Sequence, residues 1–279
     1  ICKRQHVMYN LLKELFPICR SITGDGNRKT LAIIQKHIPI KLLEYPSGTK
    51  CYDWTIPDEW NIRAGYIEDP DGRRLLDFAE NNLHILGYSE SINATLSLEK
   101  LKPHLYTVPD RPELVPYVTS YFKRRWGFCL SHNMLKKLKK GNYKVKIDSD
   151  FKKGSLTIGE TFLKGNTKKE ILISCYICHP SMANDSLSGV VMATEIYKFL
   201  RKLKFRKYSY RFLFIPETIG AIVYLFHFGE NLKKVLHSGL VLTCLGDHGV
   251  FNYKRTRLGN HELDNVIINI LRHSDKEFK

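Results

Sequence analysis

The sequence predicts an α/β protein in three layers, with a mostly parallel sheet and helices on both of its faces. Two observations lead to this class. Short apolar runs typical of buried strands occur at 170–178, 210–215 and 239–245. Between and after them, apolar residues recur at the spacing of a helix face around 193–200 and 263–271. Strands that alternate with helices form parallel sheets covered on both sides.

Two helices are expected at the amino-terminal end of the chain. Met8, Leu11 and Leu15 share one face of a helix that ends near Pro17. A second helical pattern follows and ends before Pro39, because the residue before a proline avoids helical backbone. The first pattern is that of an amphipathic helix, and the second runs through Leu31, Ile34 and Ile38.

The residue composition of the chain changes between residues 46 and 116, where seven prolines occur. Short strand-like runs such as Leu83–Gly87 alternate there with turn signals. The sequence Asp-Pro-Asp-Gly at 69–72 is typical of a hairpin turn. We therefore expect a small β-rich domain at 46–116, inserted into an α/β domain formed by 1–45 and 117–279.

Composition and charge exclude several classes of protein. The 279 residues are 43% hydrophobic and 26% charged, ordinary values for a globular chain. No apolar run reaches the roughly 18–20 residues of a membrane span. The net charge is +16, but the basic residues are spread along the chain, which favours a solvated surface over a nucleic-acid partner. Seven scattered cysteines without a signal-peptide pattern favour a cytoplasmic protein, and no membrane partner is expected.

Polar residues follow each of the three predicted strands. His179 and Asp185 come after the first strand. Glu217 follows the second strand, and Asp247 follows the third. Because the carboxyl ends of parallel strands lie at one edge of a sheet, these side chains are expected to converge there. Imidazole and carboxylate are the usual ligands of catalytic zinc, and an unligated carboxylate can act as a general base.

Each of these residues also has a structural explanation. Asp185 could cap a helix, Asp247 could belong to a turn, and His179 could be a hydrogen-bonded core residue. Other motifs point weakly to other chemistry. Cys175-Tyr-Ile-Cys178-His179 has the spacing of a c-type haem attachment site, but it ends a predicted buried strand. The aromatic and charged runs at 53–60 and 121–126 could form a ligand platform or ordinary packing.

Five stretches are specific enough to suggest a family. They are RSITGDG at 20–26, PSGTKCYDWTIPDEW at 46–60, WGFCLS at 126–131, CHPSMANDSLSG at 178–189 and PETIG at 216–220. In these stretches the chain resembles the bacterial zinc aminopeptidase-like family. That family is related to the co-catalytic di-zinc exopeptidases and carries a small inserted β-rich domain of unknown function. The resemblance runs over nearly the whole chain and implies a metal-binding hydrolase, a metallopeptidase that acts as an aminopeptidase.

The resemblance also implies roles for individual residues. His179 looks like a ligand of the first zinc, Asp185 like the carboxylate that bridges two zincs, and Asp247 like the terminal ligand of the first. Glu217 looks like the catalytic general base. Thr218 stands where relatives carry a second glutamate, a ligand of the second zinc. Zinc is the expected cofactor, with two ions in the intact protein and one in this chain.

Relatives carry a last histidine ligand well downstream, and residues 274–278 look like the start of the strand before it. We therefore expect that the chain is truncated at its carboxyl end and is inactive alone. The expected partner is a peptide or small substrate that bears an amino group. The alternative is a catalytically weakened peptidase fold that serves as a binding protein, linked to surface-polysaccharide synthesis.

Overall fold

The computed structural model of the protein describes residues 3–274 and 277–279. Its α-helices are Lys3–Leu15 (α1), Asp25–Gln35 (α2), Leu98–Leu101 (α3), His132–Lys137 (α4), Ser188–Lys202 (α5), Ile219–Val235 (α6) and Glu262–Arg272 (α7). Its strands are Lys41–Pro46 (β1), Lys50–Cys51 (β2), Trp54–Thr55 (β3), Glu59–Glu68 (β4), Arg74–Asp77 (β5), Ile92–Ser97 (β6), Leu105–Tyr106 (β7), Phe128–Cys129 (β8), Asn142–Lys152 (β9), Ser155–Leu163 (β10), Glu170–Tyr176 (β11), Ser209–Ile215 (β12) and Leu236–Leu242 (β13).

The larger sheet has five strands in the order β1-β10-β12-β11-β13. Strand β11 pairs in parallel with both β12 and β13. The pairings of β1 with β10 and of β10 with β12 are antiparallel. The predicted α/β class is confirmed, with one difference in detail: half of these pairings are parallel rather than most. The parallel half contains the three strands that were predicted to carry the functional site.

Helices cover both faces of this sheet. Leu31 of α2 and Val190 of α5 pack in the same buried cluster as Phe212 of β12. On the opposite face, Val223 of α6 packs in a cluster with Leu213 of the same strand. Successive side chains of a strand point to opposite faces, so neighbours 212 and 213 serve two different helix layers. The three-layer arrangement is therefore confirmed.

The two predicted amino-terminal helices are present. Helix α1 ends at Leu15, two residues before Pro17, and α2 ends at Gln35 before Pro39. Leu11, Leu15 and Leu31 are almost completely buried and belong to the same buried cluster as Phe212 of β12, so the apolar faces predicted from the sequence face the core.

A second sheet has four strands in the order β5-β4-β9-β6. The predicted turn joins β4 to β5: the amide of Gly72 donates to the carbonyl of Asp69 over 2.9 Å, with Gly72 at φ +80°. The predicted strand at Leu83–Gly87 is wrong. The side chain of Asn81 accepts from the amide of Leu83 over 3.0 Å, and residues 82–84 form a 3₁₀ turn instead. This local side-chain bond competes with extended backbone.

The division into two domains stays a prediction. The second sheet extends beyond the predicted 46–116, because β9 at 142–152 pairs with both β4 and β6. A buried cluster that contains Trp60 and Tyr88 also contains Ile158 and Leu213 of the larger sheet. The two sheets therefore share a core rather than meet only at a linker.

No helix within residues 3–274 and 277–279 is both long and apolar enough to cross a membrane. The strand predicted at 274–278 lies in part outside the described residues. Of that segment, Phe278 forms an isolated parallel bridge with Phe251.

Candidate functional site at the carboxyl edge of the larger sheet

Three loops meet at the carboxyl edge of the parallel strands β11, β12 and β13. His179 follows β11, and Glu217 follows β12. The amide of Ile177 donates to the carbonyl of Ile215 over 3.0 Å, which extends the pairing of these strands to the start of both loops. The two predicted site residues are thereby held at neighbouring positions, as the parallel arrangement requires.

His179 and Glu217 contact each other. The distance from His179 Nε2 to Glu217 Oε2 is 3.4 Å. The histidine is only 8% exposed, whereas the glutamate side chain is 45% exposed. A buried imidazole therefore lies beside a carboxylate that solvent can reach, which is a usable arrangement for proton transfer.

The thiol of Cys178 connects these two residues. The backbone amide of Glu217 donates to Cys178 Sγ over 3.1 Å, and the same sulfur lies 3.4 Å from His179 Nδ1. Burial raises the pKa of the Cys178 thiol to about 12. The thiol is therefore neutral near pH 7 and positions its neighbours, since a nucleophile or metal ligand would need the thiolate.

Arg20 holds the loop that follows β11 through hydrogen bonds to backbone carbonyls. Its Nε donates to the carbonyl of His179 over 2.9 Å, and its Nη1 donates to the carbonyl of Leu15 over 2.6 Å. The arginine is 2% exposed, and burial lowers its pKa to about 10. Arg20 is the first residue of the motif at 20–26, but the sequence analysis predicted no role for it. Its position as a charged residue at the start of a long, specific motif is the signal that could have indicated a functional role.

Backbone strain is concentrated in these three loops. Within the described chain, five non-glycine residues have positive φ, and three of them are Ser181 after β11, Thr218 after β12 and Cys244 after β13. Thr218 has φ +60° and ψ −70°, and the amide of Ile219 donates to the carbonyl of Glu217 over 2.6 Å. This is a γ-turn of the rare, strained kind. Such conformations cost about 1–3 kcal/mol each and cluster at functional sites.

A pocket of about 270 Å³ opens beside His179 and Glu217. It is lined by Ile22, Trp54, Tyr117, Thr119, Tyr121, Phe122, Cys178, His179, Glu217, Thr218 and Ile219. The predicted aromatic runs supply Trp54, Tyr121 and Phe122, so part of each run lines this pocket. No lysine or arginine lines the pocket, although the chain has a net charge of +16.

Two tyrosines of the pocket form a pair. The hydroxyls of Tyr117 and Tyr121 are 3.1 Å apart, and the Tyr117 ring lies 5.3 Å from the His179 ring. Burial raises the pKa of Tyr121 to about 12 and that of Tyr117 well above its usual range. Both hydroxyls remain protonated. One donates to the other, and the hydroxyl that accepts keeps its own proton available for a bound carbonyl. Tyr117 and Thr119 were missed, because nothing local in the sequence shows that 117–122 folds over the sheet edge.

The other two predicted residues lie at the same edge but are held by other partners. Asp185 lies in a π-helical turn at 183–187, its peptide bond to Ser186 is cis, and its Oδ1 accepts from Thr243 Oγ1 over 3.2 Å. Asp247 accepts from Asn184 Nδ2 over 2.6 Å and from a backbone amide over 2.7 Å. Each carboxylate is thus engaged with a neutral donor.

The donor set does not fit a zinc centre in this arrangement. Within residues 3–274 and 277–279, no group of three His, Cys, Asp or Glu side chains is placed to hold a metal ion. The second glutamate expected from the resemblance is Thr218, which offers no carboxylate. The assignment of His179, Asp185 and Asp247 as ligands, and of Glu217 as base, stays a prediction.

Comparisons with known proteins agree on the fold. A Clostridium acetobutylicum protein, named as a candidate polysaccharide biosynthesis protein with an aminopeptidase-like domain, is 51% identical over 97% of this chain and 62% of its own length. A crystal structure of a candidate peptidase from Clostridium acetobutylicum superposes with a TM-score of 0.95 at 50% identity, over 98% of this chain and 64% of that one. This chain therefore spans less than two thirds of both relatives.

A more distant likeness concerns the fold alone. A zinc aminopeptidase from Bacillus subtilis has a TM-score of 0.56 at 13% identity, over 88% of this chain and 69% of that one. A family model described as a domain of unknown function, DUF4910, matches residues 9–279. The chain thus belongs to the DUF4910 family, and its fold is that of the aminopeptidases.

Proposed function

We propose that the intact protein is a hydrolase of the aminopeptidase kind, which cleaves the amide bond next to a free amino group in a peptide or aminoacyl substrate. The observation that carries the proposal is the contact of His179 with Glu217 at the mouth of an aromatic pocket. The aminopeptidase fold supports it, because this edge of the sheet is where α/β folds bind their ligands.

Glu217 is the proposed general base. Its exposed carboxylate can accept a proton from an attacking water and return it to the leaving amine. His179 is oriented by Cys178 on one side and by Arg20 through its carbonyl, which leaves Nε2 directed at the carboxylate. The aromatic walls hold the substrate's apolar part and keep bulk water away.

A hydrolase of this kind also needs a group that polarises the scissile carbonyl, and zinc supplies that chemistry in proteins that bind it. The described residues do not assemble such a centre. We propose that zinc binding by the intact protein requires Asp185 and Asp247 to exchange their present partners, Thr243 and Asn184, for the metal. The counts of two zincs in the intact protein and one in this chain stay predictions.

The test is hydrolysis by the intact protein, with and without added zinc, across a panel of aminoacyl p-nitroanilides and dipeptides. Glu217→Gln should lower kcat by about 10²–10⁴, the usual contribution of a general base. Glu230→Gln is the matched control, because Glu230 lies on α6 with an 83% exposed side chain and forms a surface ion pair with Lys233, away from the candidate site. Absence of hydrolysis with every substrate, or equal loss in both variants, would contradict the proposal.

A second candidate function is binding without turnover. Thr218 in place of a second carboxylate, together with the absence of a three-ligand group in the described part of the chain, favours it. The name of the Clostridium acetobutylicum relative refers to polysaccharide biosynthesis. The ligand proposed for this second function is an amino sugar used in such a synthesis. Calorimetric binding of amino sugars by an intact protein that holds no zinc would favour this function over hydrolysis.

A further inference from the structure

The edge of the larger sheet opposite the candidate site is strongly basic. The segments 164–169 and 199–208 precede β11 and β12, and they contain eight lysines and arginines and no aspartate or glutamate. They lie side by side, because the amides of Asn166 and Thr167 donate to the carbonyls of Arg206 and Lys207 over 2.8 and 2.9 Å. We call these two segments the basic edge.

The cations of the basic edge lack acidic partners. Lys164, Lys168, Lys169, Arg201, Lys202, Lys204 and Lys207 form no ion pair with a carboxylate among residues 3–274 and 277–279. The nearest carboxylates along the chain are engaged in other ion pairs: Glu170 pairs with Arg211 at 2.7 Å, and Glu195 pairs with Lys198 at 2.7 Å. Glu160 shares Arg211 with Glu170. A cluster of like charges without counter-charges is a site of positive potential.

Exposed apolar side chains stand among these cations. Phe199 is 54% exposed, Leu203 38% and Phe205 66%. Phe199 also lines an apolar cavity of about 460 Å³ between α1 and α5, together with Val7 and Met192. Helix-end capping accounts for Arg206, whose Nη1 donates to the carbonyls of Leu200 and Leu203, but it does not account for exposed phenylalanines.

Although the sequence alone predicts no membrane partner, we propose that the basic edge is a docking surface for an anionic phospholipid membrane. Basic residues interleaved with Phe and Leu match the headgroup region of such a surface, where cations meet lipid phosphates and apolar side chains enter the acyl boundary. A nucleic-acid surface would instead be expected to offer a basic groove with rings available for stacking. The exposed ring of Phe205 could stack on a base, but Leu203 has no ring and Phe199 lines an apolar cavity. Insertion of apolar side chains into a membrane therefore matches this surface better, and nucleic-acid binding is one outcome of the test below.

The geometry orients the molecule on the membrane. Strands β11 and β12 each have seven residues, a length of about 23 Å at roughly 3.3 Å per residue. The candidate site lies at the far end of these strands from the basic edge. Docking therefore leaves the pocket of His179 and Glu217 open to solvent, and the surface is independent of the proposed function.

The test is flotation of the full chain with phosphatidylcholine vesicles and with vesicles that contain about a quarter phosphatidylglycerol. The chain should float only with the anionic vesicles, and raising salt well above about 0.1 M should release it. Lys204→Glu with Lys207→Glu, and separately Phe199→Ser with Phe205→Ser, should each lower the partition coefficient by at least about tenfold.

The matched control is Lys139→Glu with Lys140→Glu, which makes the same change in charge next to β9 and should alter partitioning by less than about threefold. Circular dichroism of every variant confirms that it is folded. Equal binding to both vesicle types, no binding to either, or an equal loss in the control overturns the proposal. Salt-sensitive binding of single-stranded RNA without vesicle binding would overturn it in favour of a nucleic-acid surface.

Discussion

The ion pair between Arg28 and Glu59 makes a measurable prediction about stability. Glu59 is 2% exposed and accepts from Arg28 Nη1 over 2.8 Å and Nη2 over 2.7 Å. It also accepts from the amide of Ser155 over 3.1 Å. The guanidinium bonds lower the pKa of Glu59 from its usual 4.5 to about 2. One residue thus ties α2 to a strand of each sheet.

The shift in the pKa of Glu59 gives the size of the pair's contribution to the free energy of unfolding and the direction in which it changes with pH. A difference of about 2.5 pH units at 1.36 kcal/mol per unit corresponds to about 3 kcal/mol. Arg28 is 30% exposed, so solvent screening reduces the expected contribution to about 2 kcal/mol. Because the folded pKa is depressed, this contribution is present in full above about pH 4.5 and is lost as the pH falls towards 2.

The perturbation is Glu59→Gln, measured by urea unfolding with tryptophan fluorescence at neutral pH and in acid. We expect a loss of about 2 kcal/mol in the free energy of unfolding at pH 7, and a difference that shrinks as the pH falls. Glu14→Gln is the control, because Glu14 forms an exposed pair with Lys36 and should cost less than about 1 kcal/mol. A loss at Glu59 that is the same at every pH, or no larger than that of the control, would refute the reasoning.

Three further predictions concern the site and its sheet. Elemental analysis of residues 1–279 should find at most one tightly bound zinc. His179→Ala should abolish any such zinc binding, whereas Glu217→Ala should not. Two zincs in the unmodified chain would show that the ligand assignment is wrong. Thr218→Gly should raise the free energy of unfolding by about 1 kcal/mol, because it relieves the strained γ-turn, and it should lower substrate binding by freeing Glu217; an unchanged melting temperature would count against the strain. Val241 is 55% exposed on β13, an edge strand of the larger sheet, so Val241→Lys should reduce concentration-dependent association in sedimentation experiments, whereas unchanged sedimentation would show that this edge is not the contact.

Hydrophobic spacing was sufficient to predict the layers of the larger sheet. The alternation that separates Phe212 from Leu213 follows from strand geometry, and helix periodicity placed Leu31 on the sheet. The failures have one local and one long-range cause. Leu83–Gly87 has strand-like composition, but the Asn81 side chain starts a turn there. Antiparallel β1 joins the sheet by long-range pairing with β10, which no local pattern reveals.

The candidate site was predictable only in part, for the same reason. The three strand ends gave the positions of His179, Glu217 and Asp247, because parallel strands fix where their carboxyl ends lie. They could not give the partners of these residues. Asn184 donates a hydrogen bond to Asp247, and the Tyr117 ring lies beside the His179 ring. Both contacts join segments that are distant in sequence. The long motifs identified these regions of the chain, but they did not show which residues contact a ligand and which hold those residues in position.

The pocket walls come from two different parts of the chain, and this bears on how the pocket can be altered. His179 and Glu217 sit on the larger sheet, whereas Trp54 and Phe122, whose rings meet edge to face at 5.4 Å, come from segments flanking the second sheet. Replacement of the two aromatic residues would change the width and polarity of the opening without moving the histidine or the carboxylate. Changes at Trp54 and Phe122 can therefore alter which ligand fits the pocket, while the histidine and the carboxylate proposed for the chemistry stay in place.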